Sequence, residues 1–91
     1  MYLHLGGEIC VRIKEIIAIM DLETSSTSKI TREFLKKMQK NGIVISINDE
    51  ELPKSYVVTE KDKKVTMYIS PISSSTLLKR ANNFKTYFSL F

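Results

Sequence analysis

The chain has 91 residues, 26% of them charged, and a formal charge of +4. That length makes one domain, which buries only about 60–65% of its unfolded surface and so folds with little margin or gains stability by association. The apolar and charged shares argue against disorder, and the longest apolar run, Ile16 to Met20, is far below the roughly 20 residues of a membrane span.

Cys10 is the single cysteine, so no internal disulfide can form, which suits a reducing cytoplasm. Met1 leads straight into strand-like sequence with no basic stretch, so no signal peptide is expected. The charge is unevenly spread. Residues 24–47 hold Lys29, Arg32, Lys36, Lys37 and Lys40 against Glu33 alone. Residues 79–91 hold Lys79, Arg80 and Lys85 with no acid, and residues 48–53 hold Asp49, Glu50 and Glu51 with no base. Such helices either solvate ordinary faces or attract a polyanion that the acidic loop repels.

In chain order, Tyr2-Leu3-His4-Leu5 alternates and predicts a short strand, and Gly6-Gly7 a turn. Ile9, Val11 and Ile13 alternate with Cys10 and Arg12, a second strand, and Lys14-Glu15 reverses the chain. Ile16 to Met20 is apolar on both sides, which predicts a central strand covered on both faces. In a meander of these strands Arg12 and Lys14 sit beside the reversal, within reach of a partner. Thr24 to Ser28 is a hydroxyl-rich loop ending in an N-cap at Thr27 or Ser28. Ile30, Phe34, Leu35 and Met38 then recur at helical spacing, with Arg32, Lys36, Lys37 and Lys40 outside. The four apolar side chains are expected to pack on the sheet, and Asn41-Gly42 to stop the helix with a left-handed glycine.

Ile43 to Ile47 alternates as a further strand, followed by the acidic loop Asn48 to Pro53. Lys54 to Thr59 is a strand with Tyr56 and Val58 on one face and Val57 on the other. Glu60 to Lys64 is a charged hairpin turn. Val65, Met67 and Ile69 then alternate with Thr66, Tyr68 and Ser70. Pro71 ends that ladder. Ser73, Ser74 and Ser75 can cap a second helix, which turns Leu77, Leu78 and Ala81 inward and Lys79 and Arg80 outward. In a helical tail, Phe84, Tyr87, Phe88 and Phe91 fall at i, i+3, i+4 and i+7. That stripe packs on its own domain or meets another subunit, and the sequence leaves both open. The fold expected is α+β: a small antiparallel or mixed sheet of about six short strands, packed by one long helix and one shorter C-terminal helix. Residues 1–81 form the domain, and residues 82–91 an aromatic tail.

Catalytic groups do not assemble in this pattern. His4 is the only histidine, and with one cysteine no metal site can be written at ligand spacing. Cys10 alternates with apolar residues and lacks an activating base, so a buried, inert thiol is expected. The serine triplet has no glycine-rich loop and no base beside it, so capping accounts for it better than nucleophilic or phosphate chemistry. Glu50-Glu51 are adjacent loop acids without a second constellation. No nucleotide motif is present. The reading is a non-enzyme that needs no cofactor.

The segments Met1-Tyr2-Leu3-His4-Leu5-Gly6-Gly7, Ser28 to Lys37, Pro53-Lys54-Ser55-Tyr56-Val57-Val58 and, above all, Tyr68-Ile69-Ser70-Pro71-Ile72-Ser73-Ser74-Ser75-Thr76-Leu77-Leu78-Lys79-Arg80-Ala81 resemble the RemA/RemB-like family of small bacterial extracellular-matrix regulators. The likeness covers residues 1 to about 81. It implies a cytoplasmic, non-enzymatic protein linked to control of biofilm-matrix genes. A member of the family, RemA, is a DNA-binding transcription activator that assembles into rings. It presents arginines from the reversal after the second strand and from the loop before the Lys54-type strand. Here those positions fall at Lys14-Glu15 and at Glu50, Glu51 and Leu52. Acids at the second position repel phosphate, so that part of the DNA role does not carry over. Arg12 and Lys14 remain DNA-binding candidates, with Lys36, Lys37 and Lys40 as a helix patch supported by charge. Phe84, Tyr87, Phe88 and Phe91 are the candidate oligomer interface. Three functions follow: a homo-oligomeric matrix-gene regulator, a direct DNA binder through phosphate contacts, and a scaffold that meets another regulatory protein.

Overall fold

A computed structural model describes residues 1–23, 29–48, 50–82 and 89–90. The N-cap expected at Thr27 or Ser28 and the aromatic stripe Phe84, Tyr87, Phe88 and Phe91 lie outside the described residues. The architecture is α+β; the elements wholly within the described residues are six strands, one further two-residue strand and two helices. Strands β1 (Tyr2–Gly6) and β2 (Ile9–Arg12) form an antiparallel hairpin. A 3-10 turn, Ile13–Glu15, leads into β3 (Ile16–Asp21). Helix α1 (Lys29–Asn41) precedes β4 (Ile43–Ser46), β5 (Ser55–Lys61) and β6 (Lys64–Ser70). Helix α2 (Ser74–Asn82) and the short β7 (Ser89–Leu90) follow.

The strands do not make one meander. β1 and β2 form their own two-stranded sheet, and the larger sheet has the order β4-β6-β5-β3-β7. β5 pairs antiparallel with both β3 and β6, whereas β4 joins β6 in parallel. β7 lies parallel to β3, with Ser89 opposite Ala18 and Leu90 opposite Ile19. At Ser89–Leu90 the tail is therefore strand.

Period two sorts the larger sheet's side chains onto two faces. One face holds Ile16, Ile19 and Val57, buried with Leu3, Leu5, Val11 and Ile13 of the hairpin and turn and with Leu77 and Ala81 of α2. The other holds Ala18, Met20, Val58 and Met67, covered by Met38 of α1. The fold is thus three layers: α1, the larger sheet, then the hairpin with α2. Tyr56 and Val58 lie on the α1 face and Val57 on the other, as their alternation predicts.

The serine triplet caps α2. Thr76 donates its backbone N–H to Ser73 Oγ at 3.3 Å, which satisfies one of the free donors of the first turn.

Helix α1 departs from its pattern. Met38 is buried and Leu35 half-buried, but Ile30 is 80% exposed and Phe34 36%. Periodicity names the apolar stripe, but it does not say how far along the stripe the sheet reaches. Nor does Gly42 take the left-handed cap, since the positive-φ glycines are Gly6 and Gly7. A Cβ at Gly42 would press on the Met38 carbonyl oxygen at 3.0 Å and oblige the end of the Met38 side chain, 2.6 Å away, to move. The central strand β3 is not covered throughout either. Its register with β5 shifts between Ile16 and Ala18, so Ile17 is an extra residue in the ladder and is 46% exposed. No helix of the described residues is long and apolar enough to cross a membrane.

Candidate functional site

The candidate cations are placed by their buried neighbours. Val11 and Ile13 enter the core, so the residues between and after them, Arg12 and Lys14, turn outward and are exposed. Ile13 N–H donates to the Met1 carbonyl at 3.0 Å, which fixes the turn to the start of β1. Arg12 and Lys14 line a shallow recess with Met1 and Ile13. On α1, burial of Met38 puts Lys36, Lys37 and Lys40 in solvent. Lys36 shares a surface recess with Lys29, Arg32 and Glu33. Lys37 faces a different recess, where it meets Lys63 and Lys64 of the β5–β6 hairpin. The five residues therefore do not form one patch.

Strand register shows which of them share an end of the sheet. Ile16 pairs with Thr59, so the Lys14 turn lies at the end where β5 runs into the hairpin Lys61–Lys64. Ile43 pairs with Thr66, so the last turn of α1 reaches that end too. Lys14, Lys37, Lys40, Lys61, Lys63 and Lys64 thus gather at what we term the hairpin end, against Glu15, Glu60 and Asp62. Sequence reasoning missed Lys61, Lys63 and Lys64, because as a charged turn they carried no sign of lying near α1. Asp62 and Lys63 take positive φ, 51° and 65°, so the turn has both central residues in the left-handed region.

The opposite end carries the acidic loop. Ile47 N–H donates to the Ile69 carbonyl at 3.1 Å, and Lys54 N–H to the Ser70 carbonyl at 2.8 Å. Both stems of the loop are therefore anchored where β6 finishes. Glu50 N–H donates to Asn48 Oδ1 at 2.9 Å, and Asn48 Nδ2 donates to Glu51 Oε1 at 3.2 Å. This side-chain turn holds both acids on the surface. Leu52, beside them, is 84% exposed. Between the ends, the standing-off of α1 leaves an apolar groove of about 350 Å3, lined by Ile17, Ala18, Ile30, Phe34, Val58 and Val65 among others.

His4 and Cys10 lie together on the hairpin. His4 Nε2 lies 2.8 Å from the Gly7 carbonyl across the β1–β2 turn. Cys10 is exposed, not buried as its apolar neighbours suggested. It pairs with His4 on the outer face of the two-stranded sheet, which no layer of the described residues covers. Among the described residues, no three His, Cys, Asp or Glu side chains converge to hold a metal ion. The arrangement offers cations to an anionic partner at one end, acids at the other, and apolar surface between.

The chain matches the model of the RemA-like family, described as extracellular matrix regulatory protein A-like, over residues 2–81. It belongs to that family. It is also 47% identical over 81 residues to the extracellular matrix regulatory protein B of Bacillus subtilis strain 168, covering 89% of this chain and 90% of that protein. Residues 2–81 hold strands β1–β6, helix α1 and all of α2 but Asn82, so the three-layer core lies within the match.

Proposed function

We propose that the protein is a non-enzymatic, homo-oligomeric regulator of extracellular-matrix gene expression, the kind of control that underlies biofilm formation. It works in the cytoplasm by binding. What supports this reading is the likeness to extracellular matrix regulatory protein B across nearly the full length of both chains. The test is genetic and physical. Removing the gene lowers matrix-gene transcripts, and the intact chain restores them; unchanged transcripts defeat the regulatory reading. Native mass spectrometry at tens of micromolar shows more than one subunit; a strict monomer defeats the oligomeric part.

A second reading, direct contact with DNA phosphates, is favoured by the lysines at the hairpin end beside Arg12. It predicts affinity that falls steeply with salt through counterion release. Lys14→Ala with Arg12→Ala lowers the slope of log affinity against log salt by about 1 per lost phosphate contact. Lys36, Lys37 and Lys40, replaced together, test the helix patch in the same assay. Salt-independent retardation of promoter fragments removes this reading.

A further inference from the structure

The apolar groove beside α1 has a surface that fits it on the same molecule, at the far end of the sheet. The groove is open. Ile30, Ile17 and Phe34 stand at its rim with exposures of 80%, 46% and 36%. Among the described residues, Thr31 is the one polar residue in its lining. This described lining favours an aliphatic occupant over a polar one. At about 350 Å3 the groove is near the lower limit of ligand pockets, about 300 Å3. That suits one or two side chains rather than a helix face.

The rim adds a charge preference. Phe34 and Val65 also line the neighbouring recess, which carries Lys37, Lys63 and Lys64 and no acid among its described lining residues. Glu60 and Asp62 stand elsewhere on the same hairpin, and Glu33 on α1 lies with Lys36. The preferred occupant is an aliphatic side chain flanked by acids.

Leu52 is that group. At 84% it has the greatest exposure of the large apolar side chains in the described residues. Glu50 and Glu51 precede it, Asn48 holds both acids in place, and Pro53 stiffens the exit. It cannot reach the groove's basic rim in its own chain. The loop is anchored at Ile69 and Ser70, whereas the lysines lie at Lys64, and the seven residues of β6 separate them by about 20 Å.

We propose that Leu52, with Glu50 and Glu51, docks into the Ile17–Phe34 groove of a second copy of this chain. This rests on the homo-oligomeric reading and names the two surfaces that would make it. Leu52 fills the apolar floor, and the two carboxylates face Lys37, Lys63 and Lys64. The contact is head to tail. Each joined pair leaves one free loop and one free groove, so the contact repeats until it closes into a ring or runs on as a filament. The loop's fixed turn reduces the ordering cost of docking.

Sedimentation velocity on the full chain at tens of micromolar tests this with two variants. Leu52→Asp removes the loop's apolar tip and leaves the groove intact. Phe34→Asp spoils the groove and leaves the loop intact. Each alone sediments as monomer, with self-association weakened about tenfold or more. Mixed one to one, they recover a heterodimer and nothing larger, because the only free surfaces left are the two spoiled ones. In case Phe34→Asp disturbs folding, a charge exchange at exposed sites gives an independent arm. Glu50→Lys with Glu51→Lys weakens assembly, Lys63→Glu with Lys64→Glu weakens it, and mixing the two restores it. If the unaltered chain assembles and Leu52→Asp assembles equally well, the docking is wrong while the oligomeric reading stands. If the unaltered chain is monomeric throughout, both fall. Loss of assembly in Phe34→Asp but not in Leu52→Asp indicates a groove-to-groove dimer and also overturns the proposal.

Discussion

Ser70 Oγ–H donates to the Leu5 carbonyl at 2.6 Å, and both residues are fully buried. Leu5 lies where the β1–β2 register shifts, between His4 and Gly6, so its place in the ladder is irregular. A side chain from the end of β6 thus bonds a carbonyl at the irregular point of β1, and joins the two sheets. The same Ser70 Oγ accepts the Ile72 N–H at 3.1 Å. Ser70→Ala leaves buried polar groups unpaired and is expected to cost about 1–3 kcal/mol. In a domain of this size each kcal/mol lowers the melting temperature by about 4–8 °C. A thermal melt of the variant checks this, and an unchanged midpoint contradicts it.

Gly6 sits at the same junction with φ +123°, and a Cβ there would stand 3.2 Å from Pro71 Cδ and Cγ and 3.3 Å from Ile47 Cγ2. The backbone conformation strains any side chain there, and the tight contacts require Pro71 or Ile47 to shift as well. Gly6→Ala is expected to destabilise by more than about 1 kcal/mol. Gly7→Ala costs less, because its φ of +52° lies in the left-handed region open to other residues and its nearest contact is 3.6 Å. Urea titrations of the two variants side by side give the order.

Leu77 and Ile30 belong to the same kind of apolar helical stripe but differ in environment. Leu77 is fully buried between α2, the hairpin and the larger sheet, and Ile30 is 80% exposed. Leu77→Ala is expected to lose about 2–5 kcal/mol through lost transfer energy and a residual cavity. Ile30→Ser changes monomer stability by no more than about 0.5 kcal/mol. Equal losses in chemical denaturation would show that α1 packs along its whole stripe.

Cys10 offers a chemical check on the hairpin's outer face. The thiol is exposed opposite His4. The folded chain is expected to take up one equivalent of an aromatic disulfide reagent, within about tenfold of the rate in urea, since access no longer limits it. Reaction only after unfolding would place a covering layer over β1 and β2.

Strands, turns and the α2 cap were legible because each depends on neighbours within a few residues. Tyr56, Val57 and Val58 declare their faces by alternation alone, and Ser73 declares its cap by position. The exposure of Arg12 and Lys14 was legible for the same reason, since buried residues alternate with them. The division into two sheets was not, because pairing partners lie far apart in the chain and period two is silent about them. The parallel placement of β4 on β6 was hidden likewise, and with it the meeting of Lys37 with Lys63 and Lys64. Cys10 and Ile30 were misread together: each has apolar spacing, but burial also needs a second surface to arrive. Local covalent geometry and side-chain period determine which residues form each element and which side of it is apolar. Long-range packing alone decides which apolar sides are covered, and here it leaves part of α1 and the tip at Leu52 in solvent.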